Sequence, residues 1–331
     1  MKTEISTDVQ KAVELLSAGE IVAIPTETVY GLAANALDPD AVSKIFDAKE
    51  RPHFNPLIIH LSDAGLLNKY VSEIPPKALD LIAKFWPGPL TLVLPKNKVI
   101  PDTVTAGKST VAVRVPAHPV AQALLKRLDF PLAAPSANLF GQISPTLAEH
   151  VKKGLDGRIC MILDGGKCDQ GIESTIVAFD DDGTVVLLRP GSVTVQQLEN
   201  CAGKIRFRTV NNIDPEAPGM LDRHYAPTTP VFLVEDPVQY FESLKSMKVG
   251  LLSFGPMDNL PANIEGLFLS AISDLQEASA NLYEHLHLLD SLNCDILLLV
   301  KLPDFELGSS LNDRLKRAAL SEIELKRHLL I

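Results

Sequence analysis

Apolar residues recur at helical spacing at Val9, Ala12, Val13 and Leu16, directly after Asp8, whose carboxylate can cap the first turn. Gly19 suits the helix exit, and the apolar run Ile21-Val22-Ala23-Ile24 predicts a buried strand leading straight into Pro25-Thr26-Glu27-Thr28. The same patterning predicts a helix over 40–49 with Ala41, Ile45 and Phe46 turned inward, and a strand over 57–59 ahead of His60. A helix over 77–85, strands over 90–94 and 111–115, and a helix from Val120 follow. Short strands are expected near Leu132, over 160–163 and over 175–178, with a helix starting near Thr146. Asp180-Asp181-Asp182-Gly183 forms a turn into a strand over 184–188, which predicts a hairpin.

Regular periodicity lapses between Arg206 and Thr229, where Asp214-Pro215-Glu216-Ala217-Pro218-Gly219 reads as linker punctuation. Beyond it, strands over 231–234, 249–252 and 295–300 alternate with helices over 238–246, 275–292 and 312–319. Alternation of this kind predicts a small doubly wound parallel sheet. The chain therefore divides into residues 1–206, an α/β domain with a mixed sheet, a linker over 207–228, and a small Rossmann-like α/β domain over 229–331. Length agrees, since 331 residues at 46% hydrophobic content exceed what one core usually absorbs.

Charge narrows the function classes. With 41 acidic against 31 basic side chains and a net charge of -10, the chain repels nucleic acid and anionic membranes, and no cationic run reverses this. Membrane association and direct binding of nucleic acid, RNA included, are not expected. Cys160, Cys168, Cys201 and Cys294 form no C-x-x-C pair and have no histidines at zinc-ligand spacing, so they read as reduced thiols and no metal site of the protein's own is expected. The start lacks a basic segment followed by an apolar one, and no stretch is apolar enough to span a bilayer, so a cytoplasmic location is expected.

Common nucleotide fingerprints are missing. Gly107-Lys108-Ser109-Thr110 resembles the end of a P-loop, but Asp102 stands where that motif needs glycine, and strand-like Val111-Ala112-Val113 follows where a helix must. No G-x-G-x-x-G follows a strand, and Asp164-Gly165-Gly166 reads as a plain turn. What remains is a set of polar and cationic residues that interrupt or end apolar strands: Thr28, Lys49, Arg51, Asn55, His60, Arg114, Ser136, Asn138, Ser174 and Arg189. Singly, each is more often an ion-pair partner or a satisfied core residue. Together they point to a shared anionic ligand, because buried charge is costly unless it is paired. Pro135-Ser136-Ala137-Asn138 with Ser144-Pro145-Thr146 suits phosphate binding as well as it suits an ordinary turn and N-cap. No catalytic triad, H-E-x-x-H motif or catalytic cysteine emerges, which leaves positioning and charge neutralisation as the means of catalysis.

Several segments carry a resemblance: Pro25-Thr26-Glu27-Thr28-Val29-Tyr30-Gly31-Leu32, Lys49-Glu50-Arg51-Pro52 with Asn55-Pro56-Leu57, Val113-Arg114-Val115-Pro116, and Ser136-Ala137-Asn138. Gly171-Ile172-Glu173-Ser174-Thr175-Ile176, Leu188-Arg189-Pro190-Gly191, and Ala217-Pro218-Gly219-Met220 with His224-Tyr225-Ala226-Pro227 continue it. In order and spacing they resemble the YrdC-type threonylcarbamoyl-adenylate synthase family, in its long form with a C-terminal domain. The likeness is dense over the first two thirds. In the last third it rests mainly on Asn312-Asp313-Arg314-Leu315-Lys316-Arg317-Ala318-Ala319.

This resemblance implies a twisted mixed sheet with helices around a concave, positively charged cavity. ATP, accompanied by Mg²⁺, is implied as a substrate beside L-threonine and bicarbonate. Thr28, His60, Arg114, Ala134 and Ser174 would hold threonine, with Arg114 gripping its carboxylate. Lys49 and Arg51 would be catalytic, neutralising phosphate and bicarbonate. Arg51, Asn55, Thr110, Ser136, Asn138, Ser144 and Arg189 would line the nucleotide, with His224 and Tyr225 closing over it. The implied product is threonylcarbamoyl-AMP, passed to a separate tRNA threonylcarbamoyl-transferase complex. His53-Phe54 lies where the family varies, and His53 has no assigned role. Two other readings predict different behaviour. An RNA-binding module would show salt-sensitive affinity independent of threonine, and a carbamoyl-phosphate-processing enzyme would carry acylphosphatase-like and zinc-finger segments that this chain lacks.

Overall fold

The structure, a computed structural model, describes residues 2–208, 218 and 225–329. His224, and the linker punctuation apart from Pro218, lie outside the described residues.

Among the described residues, eleven short strands build the N-terminal sheet: β1 Glu4–Ser6, β2 Val22–Ile24, β3 Gly31–Asn35, β4 Ile58–His60, β5 Leu90–Pro95, β6 Thr110–Arg114, β7 Leu132–Ala133, β8 Met161–Leu163, β9 Thr175–Phe179, β10 Val185–Arg189 and β11 Arg206–Phe207. Their order is β1-β8-β2-β3-β7-β4-β6-β5-β9-β10-β11. Pairing is mixed. β4 lies parallel to β6 and β5 parallel to β9, whereas β2/β3, β3/β7, β5/β6 and the expected β9/β10 hairpin are antiparallel. Strand cores such as Ile24, Leu32, Ile59, Leu92 and Val113 are almost completely buried, and that burial holds the layers together.

Helix ends follow from local chemistry. Asp8 Oδ1 accepts the N–H groups of Gln10 and Lys11 at 2.9 and 3.1 Å to start helix Val9–Ser17. Asp38 does the same for helix Pro39–Lys49, whose first turn also uses Pro39 and whose last residue is Lys49. Glu50 then takes the left-handed conformation at φ 53°, turning the chain so that Lys49 and Arg51 both end inside the protein.

The C-terminal sheet contains β12 Val231–Val234, β13 Val249–Ser253, β14 Ile264–Phe268 and β15 Ile296–Val300. All pairs are parallel, in the order β12-β15-β13-β14, with helices Leu275–Ser291, Leu307–Ala318 and Glu322–His328. Where a helix is expected over 238–246, the chain forms a 3₁₀ turn at Val238–Tyr240 followed by further turns. Val238, Tyr240, Phe241, Ser243 and Ser246 are poor helix formers, and the segment keeps Tyr240 and Leu244 buried without a regular helix. No helix among the described residues is long and apolar enough to cross a membrane.

The chain forms two compact units, and their membership is not contiguous. Gly141–Ile143 and Gln170–Ile172 belong with the C-terminal unit, while Ser144–Asp169 and Glu173–Asp222 belong with the first. Gly171 explains one of these excursions: its φ is +73°, and a Cβ there would lie 2.1 Å from the Ser279 carbonyl oxygen. Ser279 Oγ donates to the Gln170 carbonyl at 2.5 Å, and Ala226 N–H donates to the Gly141 carbonyl at 2.9 Å.

Candidate functional site

Parallel pairing of β4 with β6 sets His60 beside Arg114 in register. Arg114 is 3% exposed. Its Nε donates to the Gly88 carbonyl at 3.2 Å, its Nη1 to Thr28 Oγ1 at 2.9 Å, and its Nη2 lies 2.6 Å from Glu27 Oε1. Thr26 fixes the turn that presents Thr28. Its hydroxyl donates to the Val29 carbonyl at 2.6 Å, accepts the N–H groups of Thr28 and Val29 at 3.2 Å, and lies 2.9 Å from Thr28 Oγ1. Burial, helped by the Arg114 charge, lowers the His60 imidazole to about 3. The ring is therefore neutral, and Nδ1 has no hydrogen-bond partner among the described residues.

Ala134 follows β7, and its N–H donates to the Ile58 carbonyl at 3.0 Å. Gly31 leaves room for it, since a Cβ at Gly31 would come within 3.2 Å of the Ala134 methyl. Ser174 joins the group through β5, its hydroxyl 2.8 Å from Thr91 Oγ1. Thr91 precedes Leu92, which pairs with Val113, the residue before Arg114. Sheet register thus brings Thr28, His60, Arg114 and Ser174 into one neighbourhood.

A second group forms where helix Pro39–Lys49 ends. Lys49 Nζ donates to the carbonyls of Ser136 and Asn138, and the side chain is fully buried. Burial, with the nearby Arg51 charge, holds its ammonium pKa well below the usual lysine range. Arg51 donates to the Asn55 and Pro56 carbonyls at 3.3 and 2.9 Å and lies 6.0 Å from the Phe140 ring centroid. Asn55 is fully buried, and neither its Oδ1 nor its Nδ2 has a hydrogen-bond partner among the described residues. Such an amide costs free energy until a ligand meets it. Asn138 donates to the Leu139 carbonyl at 2.7 Å, and Ser144 donates to Glu173 Oε1 at 2.5 Å.

Arg189, at the end of β10, closes on the same loops. It donates to the Ser174 carbonyl from Nε at 3.1 Å and Nη2 at 2.9 Å, to Ser174 Oγ at 3.1 Å, and to the Pro218 carbonyl at 3.0 Å. Gly191 permits this approach, because a Cβ there would lie 2.4 Å from the Thr175 nitrogen. Thr110 is half-buried at the start of β6, while Arg114 ends that strand. Four residues of strand separate them by roughly 13 Å. Asn55 leads into β4 on the Thr110 side, so the β4/β6 pair carries His60 and Arg114 at one end, with Asn55 and Thr110 toward the other. Tyr225 is buried in the C-terminal unit, its ring stacked on Tyr283 at 5.7 Å and under the Arg314 guanidinium at 5.2 Å.

Sequence reasoning missed Glu27, Glu173, Thr26 and Thr91, all buried and all bonded to the residues above. Glu27 had a visible signal, a carboxylate at the exit of an apolar strand; Thr91 had none, since a threonine within a strand is ordinary. Burial pushes the Cys168 thiol up, which disfavours the thiolate and leaves this cysteine without nucleophilic character. Among the described residues no group of three or more His, Cys, Asp or Glu side chains could hold a metal ion. The arrangement is a set of fixed cations and neutral donors suited to binding anions and holding reactants in place.

Residues 14–191 match the family model described as "Telomere recombination", and residues 193–320 match the model described as "Threonylcarbamoyl-AMP synthase, C-terminal domain". The chain is 41% identical to a threonylcarbamoyl-AMP synthase of Bacillus subtilis, over 96% of this chain and 95% of that protein. It is likewise 41% identical to a threonylcarbamoyl-AMP synthase of Pyrococcus abyssi, over 93% of both chains. The crystal structure of P. abyssi Sua5 complexed with L-threonine superimposes with a TM-score of 0.88 at 40% identity, covering 94% of each chain.

Proposed function

The chain belongs to the threonylcarbamoyl-AMP synthase family, and we propose that it joins L-threonine, bicarbonate and ATP into threonylcarbamoyl-AMP, releasing pyrophosphate. One observation carries this reading of the site: cations and unmet polar groups from distant segments lie buried around short strands, with Lys49 met only by backbone carbonyls among the described residues.

Arg114 is the carboxylate receptor for threonine, its guanidinium already held by Gly88 and Thr28. Thr28, neutral His60, the backbone at Ala134 and Ser174 complete the amino-acid subsite. Arg51 neutralises the bicarbonate and the phosphates together with Lys49, whose lowered ammonium pKa rises when these anions arrive, while Asn55, Thr110, Ser136, Asn138, Ser144 and Arg189 line the nucleotide. His224 and Tyr225 are the proposed closing residues of the linker. Residues 1–206 are the proposed catalytic domain, joined by the linker over 207–228 to the domain over 229–331. Mg²⁺ arrives with ATP as part of the substrate, held by its phosphates.

The amine, once deprotonated, attacks the bicarbonate carbon, forming a C–N bond and releasing water to leave a carbamate. A carbamate oxygen then attacks the α-phosphorus, and the bond to pyrophosphate breaks. No protein nucleophile is needed. Catalysis comes from proximity and from cations fixed before the reaction begins, which stabilise charge spreading at phosphorus without reorganisation. The product serves a separate complex that transfers the threonylcarbamoyl group to tRNA.

Pyrophosphate release tests this reading. With MgATP present, release should require both threonine and bicarbonate and fall to background when either is omitted. Release independent of threonine would contradict it.

A further inference from the structure

One buried charge is not explained by a site built to gather anions. Glu27 is 6% exposed. The buried carboxylates among the described residues are Glu27 and Glu173. Glu173 accepts the Ser144 hydroxyl at 2.5 Å. Glu27 places Oε1 2.6 Å from Arg114 Nη2, and its Oε2 makes no hydrogen bond among the described residues. A carboxylate oxygen left this way inside a protein is costly, so its persistence calls for a partner supplied from outside. Arg114 meets the Glu27 charge at Oε1 only; His118 and Cys168 also feel that charge, but burial lowers the imidazole pKa and raises that of the thiol, so neither supplies Oε2 with a cation.

Positioning of Arg114 does not account for this carboxylate. The Gly88 carbonyl and Thr28 hydroxyl already fix two edges of the guanidinium. What Glu27 adds is a negative group directly beside a positive one. An α-amino acid carries the complementary pair, a carboxylate and an ammonium on the same carbon.

We propose that Glu27 is the ammonium receptor of the amino-acid subsite: Oε2 accepts an N–H of the substrate while Oε1 stays on Arg114, which holds the substrate carboxylate. This deepens the proposed function and rests on it. It makes the subsite specific for α-ammonium carboxylates and closed to 2-hydroxy acids, because a site built to bond a polar group rejects an analogue lacking it far more strongly than one lacking a methylene.

Calorimetric titration of wild type and Glu27→Gln with L-threonine, and with the analogue bearing a hydroxyl in place of the amine, tests the assignment. Wild type should prefer threonine by roughly 100-fold or more, within the range known for such polar discrimination. In Glu27→Gln, threonine should weaken at least about tenfold, a modest share of the loss seen when one partner of a buried charge pair is removed. The hydroxy acid should hold its affinity or gain, so that the preference collapses. Equal weakening of both ligands, with the preference kept, would overturn the assignment and leave Glu27 as a support for Arg114. Should Glu27→Gln fail to fold, Glu27→Asp replaces it: this variant retains the charge and should keep the threonine preference, and a collapsed preference there would overturn the assignment. Wild type that binds neither ligand would instead remove the amino-acid subsite itself, a result distinct from both.

Discussion

Arg314 in the C-terminal unit and Lys49 in the N-terminal unit are both 1% exposed, yet their charges are met differently. Arg314 and Arg317 share the Asp313 carboxylate at 2.6 and 3.0 Å, and Arg314 also lies over the Tyr225 ring. Lys49 reaches two neutral carbonyls, and its pKa is pushed down by burial and by Arg51. Nearby, Asn55 keeps a fully buried amide without partners among the described residues, whereas Asn312 in the C-terminal unit both donates to and accepts from the Leu302 backbone at 2.9 Å. Buried polarity that satisfies itself is architecture. Buried polarity that does not is poised for a ligand, and the protein bears the destabilisation until that ligand arrives.

Exchanging the charges should separate the two units. Lys49→Met should lower the rate of pyrophosphate release by roughly 10³-fold, about 4 kcal/mol of transition-state stabilisation. Its melting temperature should stay level or rise, since an inadequately paired cation leaves the interior. Arg114→Ala should weaken threonine binding by about 2–5 kcal/mol while leaving ATP affinity unchanged, as titration of each substrate would show. Arg314→Leu should do the reverse of Lys49→Met: denaturant unfolding should reveal a loss of about 3 kcal/mol, because Asp313 loses one of its partners, with threonine affinity of the folded fraction unchanged. A stability loss in Lys49→Met as large as that in Arg314→Leu would erase the distinction.

A pH-dependent effect concerns His60. Its folded pKa of about 3 lies below the ordinary 6.5, so on acidification the unfolded chain takes up the proton first. The stability linked to neutral His60 is complete above about 6.5 and shrinks as pH falls from there toward 3, by at most roughly 1.4 kcal/mol per pH unit. In His60→Gln, the fall in stability measured between pH 6.5 and pH 4 should be shallower than in wild type. Identical slopes would show that His60 does not titrate differently in the two states.

Much of this candidate site was legible in the sequence because buried polar and charged residues interrupt secondary-structure patterns. Lys49 at a helix end, Arg114 at a strand end, and Ser136 and Asn138 after an apolar run stand out against their neighbours, and the comparisons with known proteins support the family those residues suggested. Glu27 stands visibly at the exit of an apolar strand, but what its second oxygen lacks is revealed only by the three-dimensional arrangement. Thr110 and Arg114 lie four residues apart in the chain, and the extended backbone of β6 sets them at opposite ends of the strand. The parallel C-terminal sheet was also readable from its βα alternation. The order of the large sheet was not, since β1, β7 and β11 contain only two or three residues and carry too little periodicity to show which strands pair. Nor did any pattern show that Gly141–Ile143 and Gln170–Ile172 belong with the C-terminal unit; Gly171 marks one such place only once the Ser279 backbone is seen against it.

The central claim, that threonine, bicarbonate and ATP are joined on this one chain, is tested most directly by following a heavy-carbon label. Purified protein incubated with MgATP, L-threonine and ¹³C-bicarbonate should yield a threonylcarbamoyl-adenylate whose mass carries the labelled carbon, formed in step with pyrophosphate and absent when any reactant is left out. Pyrophosphate release without a labelled adenylate, or a labelled adenylate formed equally well by Lys49→Met, would contradict it.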